Sequence, residues 1–145
     1  MSIPGADGAA GGSAAWADAE SSIARVRSQL ADTIARAEEA QQLKGRIAAV
    51  RGRATSPRGE VEVEVDATGR LLDITFDADV ARLAPAELSR AVLAAVARAQ
   101  RSAGDEAIAL TADVFGEGSE TVALIRGEVD ERMPRLPDDD EPGYR

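Results

Sequence analysis

The run Glu60-Val61-Glu62-Val63-Glu64-Val65-Asp66 alternates strictly between acid and valine. Successive side chains of a strand point to opposite faces, so this segment reads as a half-buried strand with its valines on a core and its acids in water. Ala67-Thr68-Gly69 follows as a short turn with a glycine available for positive φ, and Arg70–Asp77 (RLLDITFD) returns as the partner strand. Leu72, Ile74 and Phe76 share one face of that partner. Beside Val61, Val63 and Val65 they are expected to make an apolar sheet surface that one helix can cover. Residues Arg53–Arg58 read as a first edge strand, giving a small antiparallel sheet of two to three strands.

Helical patterns flank the sheet. From about Ala14 to Val50, with Ser13 as a cap, the apolar positions Ile23, Val26, Leu30, Ile34 and Ala37 recur at gaps of three and four. That stripe is close to the heptad seam of a coiled coil. A second run, Leu43, Ile47 and Val50, keeps the rhythm on a rotated face, with Gln41, Gln42 and Gly45 at the change. A helix of about 35 residues extends roughly 50 Å, more than one small domain covers, so part of it is expected to meet a partner. Gly52 and Ser56-Pro57 read as its terminators. Pro85 opens a second helix, with Leu88, Val92, Ala95, Val96 and Ala99 as its buried stripe and Gly104 as a weak point on the way to Ala112. After Phe115-Gly116-Glu117-Gly118, Ser119 caps a third helix to about Met133, with Val122, Ile125 and Val129 on one side.

Composition narrows the chemistry. The 145 residues contain no cysteine and no histidine, which removes thiol nucleophiles, disulfides, the commonest zinc ligand and the side chain that titrates near neutrality. An enzyme is therefore not expected, and no cofactor is implied. Glu60, Glu62 and Glu64 could in principle hold a divalent cation, but a solvent-facing strand explains them better. No stretch approaches the ~20 apolar residues of a membrane span, and the first residues lack a signal-peptide pattern, so a soluble, unexported protein is expected. The abundance of alanine, arginine and glycine with no asparagine suggests a GC-rich bacterial genome.

The net charge of −9 argues against nucleic-acid binding when taken whole, because affinity for phosphate comes from cations releasing counterions. Its distribution tells more. Residues 20–58 hold eight basic against four acidic side chains, a local +4, whereas residues 59–145 hold nine against twenty, a local −11. Lys44, Arg46, Arg51, Arg53 and Arg58 fall within one short span, and Arg36 precedes them on the same helix. These six are the candidate phosphate contacts, with Arg90, Arg98 and Arg101 as possible additions. The competing reading is a solvated helix surface with intrahelical pairs such as Asp32 to Arg36. Trp16, Phe76, Phe115 and Tyr144 are too scattered for a base-stacking platform, so any binding would be of the backbone type.

The stretch Thr55–Asp77, with its glycine, alternating valine strand, glycine turn and strand ending in an acid, is similar to the core of the YbaB/EbfC family of small bacterial nucleoid-associated proteins. The helix from Pro85 to Arg101, with Glu87-Leu88, Val92 and Ala97-Arg98-Ala99-Gln100, matches the same pattern, and the resemblance covers roughly residues 20–112. It implies an α+β fold of the α-β(3)-α type: a long N-terminal helix, the small sheet, a second helix packed on it and, in this chain, a short third helix. It also implies a cytoplasmic, nucleoid-located homodimer that binds double-stranded DNA with little sequence specificity.

The stripe Ile23, Val26, Leu30, Ile34 and Ala37 is then the expected dimer interface. Actinobacterial-type relatives resemble accessory proteins of type VII secretion loci, which makes a protein-interaction or chaperone module with a helical protein partner the alternative. The expected organisation is a disordered leader over 1–13, a YbaB-like domain over 14–115, a C-terminal helix over 116–133 and a disordered acidic tail over 134–145. That tail is expected to compete for the arginines.

Overall fold

The computed structural model describes residues 6–136, with side chains from Gly12 onward. Its elements are α1 (Ala6–Ala48), β1 (Arg51–Thr55), β2 (Val61–Asp66), β3 (Leu71–Phe76), a short 3₁₀ turn (Ala78–Arg82), α2 (Pro85–Phe115) and α3 (Glu120–Arg132). The α+β architecture is as expected, with the third strand present. The chain divides into two compact units, residues 1–41 and 42–145.

The described part of the first unit is α1 from Ala6 to Gln41, and the last turns of that helix belong to the second unit. The leader expected over 1–13 is corrected from residue 6 onward, where the chain is already helical. Alanine has the highest helix propensity, and extending an existing helix needs no new nucleus, so Ala6, Ala9 and Ala10 join the helix despite neighbouring glycines. Ser13 therefore lies inside α1 and is not its cap. The first five residues, and residues 137–145 of the expected tail, lie outside the described residues.

The second unit is built on a sheet of order β1-β2-β3, antiparallel throughout. Val61, Val63 and Val65 of the central strand are fully buried, together with Val50 and with Ala95, Ala99 and Ala103 of α2. The alanines are spaced four apart, so they form one small-residue stripe on which the sheet can approach the helix backbone closely. Gly52 serves that approach. It is a β1 residue paired with Val65, and not the terminator of the preceding helix. A Cβ at this position would overlap the backbone carbonyl oxygen of Ala99 and lie 2.8 Å from Ala103 Cβ.

The face expected on β3 is only partly used. α2 packs against β1 and β2, and β3 is an edge strand. Ile74, opposite Val63, is half-buried, but Phe76 is 49% exposed and Leu72 40% exposed. A bulge explains Leu72: the register shifts between Glu64, paired with Asp73, and Val65, paired with Leu71, so Leu72 is the extra residue of the ladder. α3 completes the unit by packing Val122 and Val129, with Met133 just past its end, around Ile108, and Ile125 at the margin. Ser119 caps it as expected, its hydroxyl accepting a hydrogen bond from the Val122 amide at 3.2 Å.

Candidate nucleic-acid interface

The six candidate contacts fall on three elements. Lys44 and Arg46 occupy the C-terminal end of α1, where a cation complements the helix dipole. Arg51 and Arg53 lie on β1, and Arg58 lies in the β1–β2 turn. All five are exposed, as is Arg36 on the α1 portion of the first unit. Arg51 and Arg53 point away from the core because Gly52 between them points in.

That outer face of the sheet is not a simple basic surface. Across the ladder Arg51 faces Asp66, Arg53 faces Glu64 and Thr55 faces Glu62, while Asp73 flanks Glu64 on the far side. Arg53 Nε donates to Glu64 Oε2 at 2.9 Å. Arg51 Nη1 donates to the carbonyls of Ala48 at 3.1 Å and Val50 at 2.8 Å, where it satisfies the frayed end of α1. A phosphate approaching these two arginines meets side chains already engaged, and exposed pairs of this kind are worth at most about 1 kcal/mol, so they can be exchanged.

Arg58 is grouped differently from its neighbours in sequence. It lines a cavity of about 390 Å³ with Arg90 and Arg98 of α2, together with Glu60, Glu87 and Leu136. Sequence spacing could have found half of this, since Glu87, Arg90, Ala91, Ala94 and Arg98 recur at helical intervals on one face of α2. Arg101 belongs elsewhere and is corrected as a candidate. It is buried, with Nη1 2.7 Å from Asp130 Oδ1 and Nε 3.0 Å from Asp105 Oδ1, the latter an ion pair without hydrogen-bond alignment. Burial works to lower its pKa, but the hydrogen bond to Asp130 and the charges of Asp105 and Asp130 outweigh that and raise it. It ties α2 to α3.

Two acids expected to face water are structural. Glu60 is only 6% exposed, and its carboxylate accepts the Ser56 hydroxyl at 2.6 Å while the Ser56 Oγ accepts the Val61 amide at 3.0 Å. Asp66 organises the β2–β3 turn: one carboxylate oxygen accepts the Thr68 amide at 2.9 Å, the Thr68 hydroxyl at 2.6 Å and the Arg70 amide at 2.9 Å. Gly69, at φ 85°, completes that turn. Among the described residues no group of three or more acids gathers closely enough to hold a metal ion.

The Ser56 hydroxyl, then the Glu60 amide, hold the Glu60 carboxyl below the usual carboxylate range. The Thr68 hydroxyl, assisted by the Arg70 and Thr68 amides, does the same for Asp66. The folded state thus favours both ionised forms more than the unfolded chain does. Their contribution is complete above the ordinary carboxylate values of about 4 and is lost as pH falls through the lower folded-state values. Asp66→Asn should therefore lower Tm relative to the parent at pH 7, with the gap closing on titration below about pH 4. A gap that stayed constant down to pH 2 would show that ionisation of Asp66 is not its source.

The apolar stripe of α1 stands in solvent in the single chain: Ile23, Val26, Leu30 and Ile34 are 50–62% exposed, and Ala37 is exposed as well. Trp16, also exposed, lies one heptad before Ile23 and extends the stripe, a position that its isolation from other aromatics had hidden. No helix among the described residues is long and apolar enough to cross a membrane.

No curated protein matches the chain, and no solved structure does. The sequence model of the YbaB/EbfC DNA-binding family matches residues 21–118, from within α1 through the sheet and α2 and ending short of α3. That span is well over half of the 145 residues and contains all six candidate contacts, so the chain belongs to the YbaB/EbfC DNA-binding family.

Proposed function

We propose that this chain is a non-enzymatic nucleoid-associated protein of the bacterial cytoplasm, an actinobacterial-type family member that binds duplex DNA as a homodimer with little sequence preference and no cofactor. The observation that carries the reading is the run of exposed cations Lys44, Arg46, Arg51, Arg53 and Arg58, with Arg36, inside the region that matches a DNA-binding family. No aromatic platform accompanies them, so affinity comes from phosphate neutralisation and is blind to base sequence. A two-fold dimer presents the run twice, and two weak patches on one duplex gain by effective concentration.

The dimer forms along Ile23, Val26, Leu30, Ile34 and Ala37, extended by Trp16. Exposed apolar side chains at heptad spacing on a helix are stabilised by a second copy of the same stripe. Leu30→Asp places a charge in that seam, where burial without a partner costs several kcal/mol. Sedimentation should show a dimer for the parent and a self-association constant weakened at least about a hundredfold for the variant. A single compact subunit at tens of micromolar parent protein would overturn the interface.

For DNA, anisotropy titrations with two unrelated duplexes should give similar affinities that fall steeply between low and moderate salt. Absence of binding at tens of micromolar protein, together with a defined helical protein partner, would replace this reading with that of a protein-interaction module.

A further inference from the structure

The described chain ends against α2. Arg135 Nη2 lies 3.1 Å and 3.3 Å from the two carboxylate oxygens of Asp105, and Leu136, half-buried, lines the cavity of about 390 Å³ that Arg58, Arg90 and Arg98 also line. The next residues are Pro137, Asp138, Asp139, Asp140 and Glu141. Four consecutive carboxylates thus begin two residues after the one that lines an arginine-bearing groove.

We propose that Asp138–Glu141 dock along this groove and compete there with DNA phosphates; the docking stands alone, and the competition rests on the DNA-binding reading. The dimensions agree. The α2 positions lining the groove run from Glu87 to Arg98, about 16 Å along the axis at 1.5 Å per residue. An extended chain covers that distance in about five residues, the length of Pro137–Glu141.

The direction agrees as well. Arg135 is held by Asp105, beyond Arg98 on the helix, so the tail enters at the Arg98 end and runs toward Arg90 and Arg58. Glu60 and Glu87 oppose it, but the Glu60 carboxylate is already held by the Ser56 hydroxyl. Guanidinium binds carboxylate and phosphate through the same paired donors, so one ligand excludes the other. A tether this short places the acids at millimolar effective concentration, enough for weak pairs to form.

The test compares the full chain with a full-length variant carrying Asp138→Asn, Asp139→Asn, Asp140→Asn and Glu141→Gln. In ¹H–¹⁵N spectra without DNA, neutralisation should move the Nε–Hε signals of Arg58, Arg90 and Arg98 and leave those of Arg82 and Arg126 in place. Superimposable signals at all three groove arginines overturn the docking, whatever the protein does with DNA. With a duplex at low salt, the variant should bind more tightly: a groove filled by its own tail about nine-tenths of the time weakens apparent affinity about tenfold. Moved signals with equal DNA affinity overturn the competition. Moved signals with no DNA binding by either protein uphold the docking and count against the DNA-binding reading instead.

Discussion

Replacing Lys44, Arg46, Arg51 and Arg53 together with glutamine should remove most of the salt-sensitive part of DNA binding while leaving the fold intact. In a dimer these four positions supply up to eight phosphate contacts, and a protein with six to ten such contacts loses roughly 10³- to 10⁵-fold in affinity between 50 and 200 mM salt. The variant should bind at least about a hundredfold more weakly at low salt, with a shallower dependence on salt than the parent. Lys44 and Arg46 should account for most of the loss. Arg53 must first leave Glu64, and Arg51 must leave the carbonyls at the end of α1, so each yields less to an incoming phosphate. All four side chains are exposed, so the melting temperature should change little.

Because the chain is already acidic, a control must remove equal charge elsewhere. Arg70, Arg82, Arg126 and Arg132 are exposed and lie beside Asp66, Asp79, Glu117 and Glu128 respectively. Their replacement by glutamine should reduce affinity only modestly, through the long-range field of the molecule. Equal losses for the two sets would mean that net charge, and not a site, governs binding.

Much of this could be read from the sequence because it depended on neighbours in the chain. The valine alternation gave β2, the three-and-four spacing gave the buried faces of α2 and α3, and Ser119 gave a cap, all local patterns with a local cause. What sequence reasoning missed was set by contacts between distant segments. A bulge opposite Val65 takes Leu72 out of the ladder, and an edge position leaves Phe76 half in water, although both carry the apolar residues of a buried face.

The same holds for the candidate interface. Five cations close in sequence suggested one patch, but the β1–β2 turn carries Arg58 to the Arg90 and Arg98 face of α2, and the cross-strand Glu64 holds Arg53. Arg101, indistinguishable in sequence from the other arginines of α2, is the interior link between α2 and α3. Glu60 differs from Glu62 only in following the turn that brings Ser56 against it. Charge counts locate a cationic region, but pairing across the sheet decides which of its members a phosphate can reach.

Gly52→Ala should unfold the domain or come close to it. The added methyl would overlap the Ala99 carbonyl oxygen and sit 2.8 Å from Ala103 Cβ and 2.9 Å from the Ala103 amide nitrogen. Two of those three neighbours are helix backbone, which cannot swing aside as a side chain does. Relief requires lifting α2 off β1, and that uncovers Ala95, Ala99 and Ala103, all fully buried. Overpacking a core typically costs 1–3 kcal/mol, and where backbone is the obstacle the cost should be about 3 kcal/mol or more, out of a total stability on the order of 5–15.

Gly104→Ala is the internal comparison. Its new methyl would also crowd, at 2.6 Å from Val129 Cγ1 and 3.1 Å from Met133 Sδ, but these are side-chain atoms that can rotate. Alanine also gains about 1 kcal/mol of helix propensity over glycine there, so the net loss should be about 1 kcal/mol or less. Urea denaturation of the three proteins should rank them parent, Gly104→Ala, Gly52→Ala. The reverse order would mean that the close approach of α2 to β1 is not what holds the sheet and helix together. Adding Ala103→Gly to Gly52→Ala should not restore stability, because the Ala99 carbonyl remains in the way.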